Sequence, residues 1–169
     1  LAIIKKELSK KYDRGVFPAI QGGPIMNTIL AKAIAFQEAS TKEFRNYSKQ
    51  IIDNAKVLSE LFIARGLRVI SGGTDNHLML IDTRSINITG DVAEKKLNSV
   101  GIVVNKNAIP YDPLPPKITS GIRIGTPAIT TRKISNNDLL EMGNLIVDTL
   151  KKPDKNLSTI TKEVKKIMN

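Results

Sequence analysis

The sequence contains no cysteine and no tryptophan, and it has one histidine, His77. The absence of cysteine excludes disulfide bonds and thiolate metal sites, and it fits a reducing, cytoplasmic location. A single histidine also excludes a histidine-rich site, so we expect no metal centre. No apolar run is long enough to cross a bilayer, and no signal-like segment is recognisable at Leu1. We therefore expect no membrane partner.

Acidic residues are also scarce, since 26 lysines and arginines against 16 aspartates and glutamates give a net charge of +10. Such an excess can indicate a nucleic-acid partner. Only seven of these cations are arginine, however, and aromatic residues make up 4% of the chain. Recognition of phosphates and bases favours arginine forks and aromatic stacking. A basic RNA-binding module stays open as an alternative, but nucleic acid is not the partner we expect.

Hydrophobic periodicity predicts helix, strand, strand, helix, strand, strand, helix, helix after a short apolar strand at residues 1–4. We predict helices at 5–14, from Pro24, from a capping box of Ser40 and Glu43 to Gly66, from Thr89 to Gly101, from Ser135 to Pro153, and around Ile160, Val164 and Ile167. We predict strands at 67–70, at 78–82, at 102–104 and around Arg123. This order indicates an α/β fold, an open sheet layered with helices.

Arg123 lies in a short apolar run between Gly121 and Gly125. In a strand its neighbours Ile122 and Ile124 point to one face and the guanidinium points to the other. Such a guanidinium can hold a carboxylate through two parallel hydrogen bonds. An arginine on an edge strand that meets only water has the same pattern. The spacing alone therefore leaves both interpretations open.

Three loops carry residues that could take part in chemistry. Residues 21–24, Gln-Gly-Gly-Pro, precede a predicted helix, where backbone N–H groups can bind an anion, although a plain turn fits as well. Asp75 and His77 suggest a catalytic pair, but no serine occupies a nucleophile elbow, so we favour a turn. The amides of segment 104–110 could recognise a heterocycle. Lys106 in that segment is a candidate Schiff-base lysine, with no sign of a lowered pKa.

Four motifs occur in order in the chain: F-P-A-I-Q-G-G-P at 17–24, S-G-G-T-D-N-H-L-M-L-I-D at 71–82, V-N-K-N-A-I-P-Y-D-P at 104–113, and S-G-I-R-I-G-T-P-A-I-T-T-R at 120–132. Together they resemble the C-terminal part of serine hydroxymethyltransferase, a fold-type I enzyme that depends on pyridoxal phosphate. The resemblance implies reversible transfer of a hydroxymethyl group between serine and glycine, with tetrahydrofolate as the one-carbon acceptor. It also implies a homodimer.

The resemblance assigns a role to five residues. Arg123 matches the arginine that binds the carboxylate of serine or glycine. Gly22 and Gly23 match the loop that reaches the cofactor phosphate of the neighbouring subunit. Asn107 matches a contact to the pterin of tetrahydrofolate, and Phe17 lies where the family lines the folate site. The segment of Asp75 and His77 matches one that is structural in the family.

The chain also departs from the family pattern. Asn27 stands where the family usually has histidine, and the segment with the Schiff-base lysine is absent. We therefore expect no catalytic residue in this chain, which looks truncated and inactive alone.

The resemblance implies that residues 1–58 form the end of the large fold-type I cofactor-binding domain, followed at 59–169 by a small α/β domain with a mostly antiparallel sheet. An aldolase-like or aminotransferase-like relative is the alternative enzyme.

Overall fold

A computed structural model of the chain describes residues 3–152 and 157–168. The chain forms two compact units, Leu1–Phe44 and Arg45–Asn169. The domain boundary predicted between residues 58 and 59 lies further along the helix that crosses from one unit to the other, and it stays a prediction. Of the strand predicted at residues 1–4, Leu1 and Ala2 lie outside the described residues. The other two, Ile3 and Ile4, have no regular structure, so there the prediction is wrong.

The first unit is helical. A 3₁₀ turn, Lys6–Leu8, leads into helix α1, Ser9–Arg14, and a wide helical turn, Gly15–Ile20, precedes helix α2, Met26–Ala39. None of its described residues is buried, and the Phe36 side chain of α2 is 72% exposed. Apolar residues at helical spacing thus predict α2 correctly, but this unit supplies no surface that covers them.

Helix α3, Lys42–Ala64, begins one residue later than the predicted capping box implies. The Phe44 N–H donates to the Thr41 hydroxyl at 3.2 Å, so Thr41 is the cap. The Ser40 hydroxyl instead donates to the Gln37 carbonyl of α2 at 2.7 Å. Helix α3 therefore has Thr41 as a capping residue, one position after the predicted Ser40, whose hydroxyl also bonds the end of the preceding helix. At the other end, Gly66 has a φ of +75°, which favours glycine and ends the helix as predicted.

The second unit contains an open sheet of four strands: β1 Arg68–Val69, β2 Leu78–Asp82, β3 Asn105–Asn107 and β4 Gly121–Gly125. Their spatial order is β1-β2-β4-β3, and every neighbouring pair is antiparallel. The predicted α/β class with an antiparallel open sheet is confirmed.

The strand predicted at residues 102–104 is wrong, because the paired segment is β3, which starts three residues later. Ile102 and Val104 are buried in the core without joining the sheet ladder. The apolar pattern at residues 102–104 therefore indicates burial. The polar residues that follow, 105–107, form the hydrogen bonds to β4.

Helices pack against the sheet face that carries Met79, Ile81 and Ile122. These helices are α3, α4 Gly90–Ser99, α6 Asn136–Lys151 and α7 Leu157–Met168, and a short helix not predicted from the sequence, α5 Pro127–Thr131, follows β4. Ser135 caps α6 as predicted, since the Asp138 N–H donates to its hydroxyl at 3.1 Å. The predicted stop of α6 at Pro153 lies outside the described residues, and α6 ends at Lys151.

Candidate functional site

Arg123 lies at the centre of β4, with its side chain exposed between the buried Ile122 and Ile124. Its Cα pairs with Leu80 on β2 and with Asn105 on β3. The alternation read from the sequence is thus confirmed, but β4 is an inner strand and not an edge strand. Within the described part of the chain, the guanidinium has no hydrogen-bond or ion-pair partner.

A hollow of about 320 Å³ lies beside Arg123, and residues that border it include His77, Leu78, Val103 and Asn105. Of the described residues that border it, none is acidic, and Arg123 is the only lysine or arginine. A carboxylate entering the hollow would therefore meet a free guanidinium fork with no competing anion.

Asn107 shares the sheet face of Arg123. Asn105 lies directly opposite Arg123, and Asn107 lies two residues further along β3, opposite Gly121. Residues two apart on a strand point to the same side, so the two asparagines and the arginine line one face. One Asn107 amide N–H donates to the Ala108 carbonyl at 2.7 Å, which leaves the amide oxygen available.

Lys106 points to the other face of the sheet, because its Cα pairs with the buried Ile122. Its backbone N–H donates to the Glu94 carboxylate of α4 at 2.9 Å. The lysine therefore does not face the hollow beside Arg123, which counts against it as a Schiff-base lysine.

Asp112 organises the loop between β3 and β4. Its carboxylate accepts backbone N–H bonds from Ile109 at 3.1 Å, Leu114 at 2.9 Å and Ser120 at 2.8 Å, and the Ser120 hydroxyl donates to it at 2.6 Å. Desolvation acts to raise the pKa of Asp112, but these hydrogen bonds outweigh it and hold the pKa far below its ordinary value. Sequence reasoning missed this residue, although an aspartate before a proline often bonds its own turn.

Three other arginines of this unit have a carboxylate partner. Arg68 donates to the buried Asp82 at 2.8 Å, and Arg84 donates to it at 2.9 and 2.8 Å. The hydrogen bond from Arg84 is the main reason that the pKa of Asp82 is lowered. Arg65 pairs with Asp148 at 2.8 Å. Arg123 differs from these three because its guanidinium has no carboxylate partner among the described residues.

The segment with Asp75 and His77 is a turn held by its own polar groups. The Thr74 hydroxyl donates to the Leu78 carbonyl at 2.6 Å, and the Leu78 N–H donates to the Asn76 amide oxygen at 3.0 Å. Among the described residues, no hydrogen bond joins Asp75 to His77. The turn explains these residues without a catalytic pair.

Comparison with known proteins agrees with the motifs. The model of the serine hydroxymethyltransferase family matches residues 2–146. The chain belongs to the serine hydroxymethyltransferase family. Two relatives named serine hydroxymethyltransferase, from Prochlorococcus marinus subsp. pastoris and another Prochlorococcus marinus strain, are 53% identical to it over 149 residues. A third, also from Prochlorococcus marinus, is 51% identical over 151 residues.

These relatives are much longer than the chain. The alignments cover 88% of this chain and 35% of each of the first two relatives, and 89% and 36% for the third. The chain thus spans about a third of the length of the serine hydroxymethyltransferases that it matches. In the described part of the chain, no helix is long and apolar enough to cross a membrane.

Gly22 and Gly23 lie in the first unit, in the exposed loop before α2. A Cβ placed on either glycine would meet no atom within 4 Å, and the first turn of α2 has neither a side-chain cap nor an acidic residue. Its backbone N–H groups are therefore available to an anion, so this loop fits a phosphate group. Phe17, 63% exposed, belongs to the same unit, whereas Arg123 and Asn107 belong to the second.

Proposed function

We propose that this chain forms the substrate-carboxylate and folate side of an active serine hydroxymethyltransferase. The proposed reaction is the reversible transfer of a hydroxymethyl group between serine and glycine, with tetrahydrofolate as the one-carbon acceptor. The observation that carries the proposal is the Arg123 guanidinium, which has no partner and borders a hollow with no acidic residue in the described part of the chain, in a member of this family.

Arg123 would bind the carboxylate shared by serine and glycine. A planar guanidinium holds a carboxylate through two parallel hydrogen bonds, and this fixes the orientation of the amino acid as well as its position. Because Arg123 sits on an inner strand paired on both sides, the backbone that carries it is held in place. Asn107 would offer its amide oxygen to the pterin of tetrahydrofolate on the same sheet face, and Phe17 would line the folate site.

Pyridoxal phosphate is the cofactor of the proposed enzyme and supplies, when bound, an electron sink for the carbanion chemistry. Gly22 and Gly23 would bind its phosphate through backbone N–H groups, contributed across the interface of a homodimer. We assign no catalytic residue and no cofactor-bearing lysine to this chain. We therefore propose that a full-length, cytoplasmic enzyme carries the activity and that the chain alone is inactive.

The test replaces Arg123 in a full-length enzyme. This chain would replace the matching segment of a Prochlorococcus marinus serine hydroxymethyltransferase, and Arg123→Ala would be introduced into that chimera. Leaving a bound carboxylate unpaired typically costs about 3–5 kcal/mol, which corresponds to a loss of roughly 10²- to 10⁴-fold in kcat/KM for serine. The rate of glycine formation at varied serine concentration measures kcat/KM for serine.

Two further variants sharpen the result. Arg123→Lys should recover only part of the activity, because an ammonium group cannot form the two-pronged contact. Arg14→Ala removes an exposed arginine of the first unit and serves as the matched control. Near-normal kcat/KM in Arg123→Ala would mean that another residue binds the carboxylate. A product formed equally well without tetrahydrofolate would favour the aldolase-like alternative.

A further inference from the structure

The second unit contains a mainly apolar cavity of about 330 Å³ to which the family resemblance assigns no role. Its walls come from several elements and include Leu58, Ile124, Ile129, Ile146 and Val164. Val103 and Val104 border both this cavity and the hollow beside Arg123, but Arg123 does not line the cavity. The two sites are therefore neighbours that share part of one wall, which also includes Gly125.

Arg132, which follows α5, is the only charged residue among the described residues that line this cavity. Its side chain is exposed and has no hydrogen-bond or ion-pair partner among the residues that the structure describes. None of the lining residues that the structure describes is acidic. The cavity thus combines an apolar wall with one unpaired guanidinium.

We propose that this cavity binds a small apolar carboxylate, such as a medium-chain fatty acid, and that Arg132 pairs with the carboxylate. The volume lies at the lower end of the range for small-ligand pockets, about 300–1,000 Å³, which suits a single short hydrocarbon chain. A neutral apolar molecule would leave the guanidinium unpaired, whereas a carboxylate matches its fork.

The cavity includes residues outside the part of the chain that the family model matches. Val164 and Met168 lie four residues apart on one face of α7, and both line the cavity, while the family match ends at residue 146. The site therefore depends on a helix that the match does not cover, and the inference is independent of the proposed enzyme activity.

Isothermal titration of the 169-residue chain with octanoate tests the proposal. We expect saturable binding of one octanoate per chain, weaker binding of hexanoate by roughly fourfold per missing methylene, and weaker binding of 1-octanol. Absence of saturable octanoate binding would overturn the proposal. So would equal binding of octanoate and 1-octanol, because the carboxylate would then contribute nothing.

Variants locate the ligand. Arg132→Gln should weaken octanoate binding roughly tenfold or more, because it removes a charge-assisted contact from an exposed position. Ala128→Leu adds bulk at an exposed lining residue and should weaken binding through the apolar wall. Arg14→Gln is the matched control for the loss of one guanidinium and should leave the affinity unchanged.

Arg123→Ala separates this site from the proposed substrate site. It should leave octanoate binding unchanged, and a tenfold loss would place the carboxylate at Arg123 and overturn the proposal. Unchanged binding in both Arg132→Gln and Ala128→Leu would also overturn it. Circular dichroism of each variant shows whether it is folded. Both cavity variants alter exposed residues at α5, and one changes the apolar wall while the other removes the charge.

Discussion

Arg123 and Asn107 share one sheet face but differ in their hydrogen-bond partners. The guanidinium has no described partner, so it can bind an anion without first breaking an ion pair. The Asn107 amide keeps one N–H on the Ala108 carbonyl, which orients the side chain. This leaves the amide oxygen as the acceptor for a ligand donor.

Asn107→Ala should lower tetrahydrofolate-dependent serine turnover in the chimera while sparing folate-independent cleavage of bulky 3-hydroxy amino acids. The reason is that the proposed contact of Asn107 is with the pterin and not with the amino acid. We expect a loss of roughly five- to tenfold in kcat/KM for tetrahydrofolate, which corresponds to the free energy of one hydrogen bond. Comparing both activities in the same preparation measures the split, and equal losses would contradict the assignment.

Asp112 makes the stability of the second unit depend on pH. Its hydrogen bonds favour the ionised form, so the folded protein holds its pKa below the value in the unfolded chain. A group with a lowered pKa stabilises the fold above the unfolded pKa of about 4 and loses that contribution as the pH falls further.

Asp112→Asn should therefore lower the urea midpoint at about pH 7, and the difference from the unaltered chain should shrink at about pH 3. Asp75→Asn is the control, since Asp75 is exposed and its side chain has no hydrogen-bond partner among the described residues. An Asp112→Asn effect of the same size at both pH values would mean that its charge does not matter.

Strand β4 depends on close backbone approach at Gly121. A Cβ on this glycine would lie 2.6 Å from the Ile109 Cγ2, 2.8 Å from the Ile81 carbonyl oxygen and 3.0 Å from the Asn107 carbonyl oxygen. Gly90 at the start of α4 is equally tight, because its Cβ would lie 2.4 Å from the Gly121 carbonyl oxygen. The two glycines let α4 and β3 pack directly on the strand that carries Arg123.

Gly121→Ala should destabilise the second unit by about 1–3 kcal/mol or more, since a methyl group there displaces backbone atoms. Gly125→Ala on the same strand is the matched control, because its Cβ would have ordinary contacts of 3.5 Å or longer. We expect the control to change the free energy of unfolding by less than about 0.5 kcal/mol. Urea unfolding measures both, and similar values for the two variants would contradict the role of Gly121.

The two units differ in how they are stabilised. The second unit encloses a contiguous core, which includes Phe62, Ile81 and Leu97, whereas no described residue of the first unit is buried. Burial of apolar surface is the main source of folding free energy. The stability of this chain therefore resides in the second unit.

A variant that begins at Ser40 keeps the Thr41 cap of α3 and removes most of the first unit. We expect its free energy of unfolding to stay within about 1 kcal/mol of the complete chain, because the deleted residues include no described buried side chain. Urea unfolding followed by circular dichroism measures this. A drop of several kcal/mol would show that the first unit contributes to the core.

Local features of the fold could be predicted from the sequence. The alternation of Ile122, Arg123 and Ile124, the cap at Ser135 and the stop at Gly66 each depend on residues a few positions apart. For the candidate site, the sequence alone determined that the Arg123 side chain would point to the face of its strand opposite the core. Motifs within the chain also indicated the family to which it belongs.

The tertiary structure alone decided how distant segments meet. It paired residues 105–107 with β4 where the apolar pattern pointed to 102–104, and so put Asn107 on the face of Arg123. It also left the apolar residues of α2 exposed. It brought together the backbone N–H groups of Ile109 and Ser120, from the two ends of one loop, as hydrogen-bond donors to Asp112. Periodicity records which residues avoid water, but strand pairing and loop closure depend on hydrogen bonds between chain segments that are far apart in sequence.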